Sequence, residues 1–155
     1  VSGGCEAAVH ACRRYLDNMP DNHGIAKLDF SNAFNCLRRD TMLQAVSDAI
    51  PELYAFCYLS YGDASDLMFA HRHISSEEGV QQGDPLGPLL FCLTIHPLLQ
   101  SLESNFTVGY MDDITIGGTV EAVAKDVNTI VSSGDMMGLL LNTAKCELIA
   151  KSEKL

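Results

Sequence analysis

The sequence predicts an α+β fold in which one antiparallel sheet, laid out in the split β-α-β-β-α-β order, is backed by helices. Three observations predict it. Apolar runs of strand length stand at residues 25–30, 106–110, 114–117 and 146–150, each bounded by turn residues. The second and third are separated only by Met111-Asp112-Asp113, which forces a tight hairpin. Helical patterns fill the two long gaps, over residues 86–102 before the hairpin and residues 119–137 after it.

Each element has its own signal. Ala8, Cys12 and Leu16 recur at helical spacing and predict a helix over residues 5–17, which Met19-Pro20-Asp21-Asn22 ends with turn chemistry. Residues 25–30 are short and mainly apolar, as a buried strand requires. Asp40 is expected to cap a helix running through Ser47, and Pro51 at a first helical position starts another toward Tyr61. Residues 67–70 and 73–75 pair as a small hairpin. Beyond a Gly-Pro-rich stretch at residues 79–88, Pro85 suits the first turn of a helix apolar enough to be buried on most sides. Val120, Val123, Val127, Ile130 and Val131 line one face of the next helix, and Gly138 ends it.

A chain of 155 residues, 47% of them hydrophobic, can bury one sizeable core, and no repeat or polar linker marks a boundary. One domain spanning residues 1–155 is the expectation. No apolar run approaches the roughly 20 residues that span a bilayer, and the N-terminus lacks the order of a signal peptide. The expectation is a protein that is intracellular, nuclear or cytoplasmic, and not secreted. The 6 cysteines are scattered with no C-x-x-C pair, so they read as reduced, buried small hydrophobes. A formal charge of -10 disfavours a self-sufficient grip on phosphate backbones. With no initiator Met at Val1, the chain reads as a piece of something longer whose other regions carry the basic charge.

The chemistry lies in the carboxylates. Asp29 stands near the end of the first strand, and Asp112 with Asp113 at the hairpin tip. An acid beside a core needs a partner. Each taken alone is more often a solvated turn or strand-end residue, but the split fold brings both to one end of the sheet. Three converging oxygen ligands suit hard divalent ions such as Mg²⁺. Two such ions activate an attacking hydroxyl and stabilise a leaving oxygen in phosphoryl transfer.

Four motifs in order carry a resemblance. Lys27-Leu28-Asp29-Phe30-Ser31-Asn32-Ala33-Phe34-Asn35 resembles the first catalytic motif of reverse transcriptases, and Gly109-Tyr110-Met111-Asp112-Asp113 resembles their Tyr-x-Asp-Asp box. Gly79-Val80-Gln81-Gln82-Gly83-Asp84-Pro85-Leu86-Gly87-Pro88-Leu89-Leu90-Phe91 is similar to their Gln-Gly-x-Pro motif in the form found in retrotransposons lacking long terminal repeats. Gly138-Leu139-Leu140-Leu141-Asn142-Thr143-Ala144-Lys145-Cys146 is similar to the motif after their second palm helix.

The resemblance implies a polymerase palm with part of the fingers and no thumb, belonging to an RNA-directed DNA polymerase of a non-LTR, LINE-like retrotransposon. It implies two Mg²⁺ ions, with Mn²⁺ as a substitute, on Asp29, Asp112 and the more peripheral Asp113. Lys145 joins the catalytic set near the leaving pyrophosphate. Phe30, Phe34, Gln82, Gly83 and Tyr110 form the substrate set. Phe34 acts as an aromatic gate against a ribose 2′-hydroxyl, Gln82 and Gly83 lie along the incoming nucleotide and template base, and Tyr110 packs beside the primer end. Phe34 alone also reads as core, Tyr110 as ordinary packing and Lys145 as a solvated surface residue.

The implied partners are an RNA template, a DNA primer, a dNTP and the remaining fingers and thumb regions, without which the piece need not turn over by itself. Two alternatives stay open. One is a non-catalytic palm relic that binds RNA or protein, against which the retained acids argue. The other is a telomerase- or maturase-like enzyme, separable only outside these residues. An RNA-directed RNA polymerase usually has Gly before the acid pair and a small polar residue in place of Phe34.

Overall fold

The computed structural model describes residues 3–151 of the chain. The order of elements is α1 (Gly4–Asp17), β1 (His23–Leu28), α2 (Ala33–Cys36), α3 (Arg39–Ala49), α4 (Pro51–Tyr61), β2 (Ser65–Phe69), β3 (Arg72–Ser76), α5 (Gly87–Gln100), β4 (Phe106–Tyr110), β5 (Asp113–Thr119), α6 (Val120–Met136) and β6 (Glu147–Ala150). They fall into two compact units. The first takes in the chain up to Ser31, Leu98–Met136 and the chain from Leu140; the second is Asn32–Pro97 with Met137–Leu139.

The first unit holds a four-stranded sheet in the order β4-β5-β1-β6, with every neighbouring pair antiparallel. This is the order that the split β-α-β-β-α-β arrangement requires. The centre of the sheet is set by composition: Ile25, Ala26 and Leu28 of β1 and Ile114 and Ile116 of β5 are buried. The edges show more polar and exposed residues, as antiparallel sheets allow. Helix α6 lies against β5 and β1, and α1 lies against β4. The Tyr15 ring of α1 stacks on Phe106 of β4 with centroids 4.8 Å apart. Where α5 ends, Leu99 fills the space beside Gly109 of β4.

Helix α6 is rotated from the expected face. Val123 and Ile130 are buried, but Val120 and Val131 are exposed, and Asp126 with Gly134 takes their place on the inner side. Asp126 is 2% exposed, and its carboxylate accepts from the Glu103 amide at 3.0 Å and the Ser104 amide at 2.7 Å. It satisfies the backbone between α5 and β4, a role that periodicity alone does not reveal.

The second unit pairs α3 with α4 and carries the β2–β3 hairpin, in register from Ser65↔Ser76 to Phe69↔Arg72. Its buried residues include Leu37, Met42, Val46, Cys57, Tyr61, Leu90 and Phe91. Pro51 opens α4 as expected. Asp40 does not cap α3: the helix starts at Arg39, and Asp40 sits in its first turn, paired with Arg38. Pro85 likewise precedes α5, and Pro88 occupies the first turn instead.

β1 begins at His23, earlier than apolarity suggested, because it pairs from His23↔Thr119 onward. Cys57 is buried, Cys12, Cys36, Cys92 and Cys146 are half-buried and Cys5 is exposed, so burial was over-expected. Among the described residues, no helix is long and apolar enough to cross a membrane.

Candidate active site

Register decides what shares an end of the sheet. The last β1–β5 pair is Leu28↔Ile114, and Asp113 pairs with Tyr110 across the hairpin. Asp29 follows Leu28 and Asp113 precedes Ile114, so both acids step off the same end of adjacent strands. Met111, at φ 59, takes the left-handed conformation that lets so short a tip close.

Asp29 is held by a second segment. The Ser31 amide donates to Leu140 O at 2.8 Å, and the Asn142 amide donates to Asp29 O at 2.8 Å, with a bridge between Phe30 and Leu141. The turn that follows is closed by the Lys145 and Cys146 amides, which donate to Asn142 O at 2.9 and 3.1 Å. These bonds bring Lys145 Nζ to 3.6 Å from Asp29 Oδ2. Asp29 Oδ2 is buried and accepts no hydrogen bond. A buried carboxylate oxygen with free lone pairs is costly unless a cation satisfies it. A carboxylate oxygen left free in this way is the kind of ligand that a hard divalent ion takes.

The three acids are not equivalent. Among the described residues, no group of three or more His, Cys, Asp or Glu side chains is close enough together to hold a metal ion. The expected closed trio is therefore not formed. Asp112 lies in the turn and is half-buried, whereas Asp113 opens β5 and is exposed. Tyr110, at 49% exposure, stands free beside the tip. Phe30, expected in the substrate set, is 3% exposed and belongs to the core.

The other expected residues lie in the second unit. Phe34 is half-buried and stacks on Phe91, with centroids 4.6 Å apart and planes at 11°. Gln82 is exposed, and its Nε2 donates to Asn35 Oδ1 at 3.4 Å. Gly83 has φ 93, a conformation disfavoured for side chains, and open space lies where a Cβ would stand. The exposed Gln82-Gly83 turn can therefore be approached closely.

Sequence reasoning missed what holds this turn. Arg39, 7% exposed, donates from Nε to Gly79 O at 3.0 Å, from Nη1 to Ser76 O at 2.7 Å and from Nη2 to Ser76 Oγ at 2.9 Å. Its guanidinium also lies 5.4 Å from the centroid of the Tyr61 ring. The Tyr61 hydroxyl donates to Asp84 Oδ2 and accepts from the Gln81 amide at 3.3 Å. Burial, then the bond to Asp84, pushes the phenol up to about 12, so it stays a donor at neutral pH. The signals were weak: Asp84 stood in a quoted motif, but Arg39 and Tyr61 read as ordinary helix residues.

Comparisons with known proteins agree with this architecture. A profile of the family described as "Reverse transcriptase (RNA-dependent DNA polymerase)" matches residues 3–155. The "Retrotransposable element SLACS 132 kDa protein" of Trypanosoma brucei gambiense is 27% identical over 160 residues, covering 96% of this chain and 13% of that protein. Among solved structures, telomerase from Candida albicans in complex with a TWJ fragment of telomeric RNA superposes with TM-score 0.69 at 13% identity, covering 99% of this chain and 32% of that one. Apo telomerase from Candida tropicalis gives 0.66 at 11% identity, covering 97% and 32%. The chain thus spans a small part of the retrotransposon protein and about a third of each telomerase, and it belongs to the reverse transcriptase family.

Proposed function

We propose that this chain is the catalytic segment of an RNA-directed DNA polymerase from a non-LTR retrotransposon, which transfers a nucleotidyl group from a dNTP to a primer 3′-hydroxyl. One observation carries it: Asp29, with an unsatisfied buried oxygen, leaves its strand at the end of the sheet where the hairpin brings Asp112 and Asp113. In this reading the first unit is the palm and the second is part of the fingers. An RNA template, a DNA primer and basic regions of a longer polypeptide complete the machinery, consistent with a charge of -10 on this segment.

Asp29 and Asp112 are the residues that would hold two Mg²⁺ ions, with Asp113 peripheral. Such ions, when bound, lower the pKa of the attacking hydroxyl and offset charge on the leaving oxygen. The chain's own residues supply the rest. Paired strands flank both acids, and the Asn142 amide holds the Asp29 carbonyl, as a site requiring fixed geometry needs. Lys145 sits where its ammonium can neutralise or protonate a departing pyrophosphate. Tyr110 offers an exposed ring to the primer end. Phe34, braced by Phe91, is a rigid ring suited to exclude a 2′-hydroxyl. Gln82 and Gly83 present an amide and a bare backbone to the nucleotide and template base.

The test is extension of a DNA primer on an RNA template by the complete polypeptide. Incorporation of dNTPs that exceeds incorporation of ribonucleotides supports the reading. Absence of extension on RNA and DNA templates alike, with RNA binding retained, would favour a palm that only binds.

A further inference from the structure

We propose that Arg39 and Tyr61 are positioning residues that clamp the two ends of the loop carrying Gln82-Gly83, and so set how well that loop holds a nucleotide. The inference rests on the polymerase reading for what the loop contacts, but the clamp itself follows from geometry. The loop runs from Ser76 at the end of β3 to Leu86 before α5. Arg39, from α3, spends its three bonded nitrogens on Ser76 and Gly79, the entry of the loop. Tyr61, from the end of α4, takes the Gln81 amide and Asp84, on either side of Gln82-Gly83. Asp84 closes the exit by accepting the Leu86 amide on its other oxygen at 2.8 Å.

A buried guanidinium whose bonds go to two carbonyls and a hydroxyl is an expensive way to fix a surface loop. A neutral residue would bury more cheaply. What Arg39 adds is geometry, because its planar fork meets several acceptors at fixed angles. The loop has little freedom elsewhere. The Gly79 amide donates to Leu37 O at 2.8 Å and the Val80 amide to Phe34 O at 2.7 Å, so the entry is laid along the Phe34–Leu37 backbone. At Gly79, with φ +71, an added Cβ would come within 2.5 Å of Asn35 backbone atoms. Only the exposed Gln82-Gly83 turn projects free of this clamp, apart from the long bond between Gln82 and Asn35.

Tyr61→Phe is the sharpest variant, since it keeps the ring under the guanidinium and deletes only the hydroxyl. Two measurements on it separate the outcomes. Hydrogen exchange in the full chain should quicken by about tenfold at the Gln81 amide, the loss of one hydrogen bond, with the melting temperature lowered by no more than a few degrees. Primer extension by the complete polypeptide, using dTTP on poly(rA) primed with oligo(dT), should show KM raised by about five- to tenfold and kcat within about twofold. Arg39→Lys, which keeps the charge and loses the fork, should move KM in the same direction. Unchanged exchange at Gln81 overturns the clamp. Quickened exchange with kcat reduced and KM constant overturns the positioning role and leaves only structure. If the wild-type polypeptide extends no primer, the polymerase reading fails while the exchange result still decides the clamp.

Discussion

Lys145 faces Asp29 without hydrogen-bonding to it: Nζ stands 3.6 Å from an Oδ2 that accepts no bond. An ammonium at that distance offsets the charge and leaves the oxygen's lone pairs free. Lys145 is 67% exposed at its side chain, so the pair contributes no more than about 1 kcal/mol. Lys145 and a divalent ion should therefore compete for the same oxygen. Millimolar Mn²⁺ should raise the melting temperature of the wild type, and raise it further in Lys145→Met. Asp29→Asn/Asp112→Asn should not respond, and an equal shift in that double variant would rule out these ligands.

Phe34 is both stacked and half-buried, which sets two predictions against each other. If its ring excludes a 2′-hydroxyl, Phe34→Val should raise ribonucleotide incorporation by much more than it lowers deoxynucleotide incorporation. If it only supports Phe91, both activities should fall together with a stability loss approaching the roughly 3 to 5 kcal/mol of a fully buried Phe truncated to Ala. The ratio of kcat/KM for a matched ribo- and deoxynucleotide pair, read beside the melting temperature, distinguishes them.

The sheet was legible in the sequence because its signals are local. Met111-Asp112-Asp113 between apolar runs could only be a hairpin, and strand order followed from the alternation of patterns. Lys145 was legible only through motif resemblance, since its approach to Asp29 depends on backbone bonds between residues 31 and 140 and residues 29 and 142. Arg39 was not legible at all. Its partner Gly79 lies 40 positions away, and an Arg-Arg pair at a helix start gives no sign of which one turns inward. Asp126 escaped for a similar reason: an acid within an apolar helical stripe reads as a break in the pattern until the amides it accepts are seen.

Asp126 therefore makes a clean structural prediction. It accepts from two amides, Glu103 and Ser104, and is 2% exposed. Asp126→Ala should leave both donors unsatisfied and cost about 2 to 4 kcal/mol. Denaturant unfolding of the full chain measures it; a loss below about 0.5 kcal/mol would mean that water replaces the carboxylate.

Asp40 gives the pH prediction. The hydrogen bond from Arg38 is the main cause that draws its carboxyl down to about 2. A carboxyl depressed in the folded state contributes stability that is present above its unfolded pKa, near about 3.9, and is lost as pH falls through the folded value. Both side chains are exposed, so screening keeps the contribution below about 1 kcal/mol. Asp40→Asn should be slightly less stable than wild type at pH 6, and the difference should close between pH 4 and pH 2. A gap that persists at pH 2 would show that the charge is not its source.

The central claim is that Asp29 and Asp112 perform chemistry and do not merely shape the sheet. Single-nucleotide extension by the complete polypeptide, measured in Mg²⁺ at saturating dNTP for Asp29→Asn, Asp112→Asn and the structural control Asp126→Asn, tests it most directly. The account predicts that the first two lose kcat by about a hundredfold or more at an unchanged melting temperature. Asp126→Asn should lower the melting temperature while its folded fraction keeps near-normal kcat. Near-normal extension by Asp29→Asn or Asp112→Asn would contradict the account.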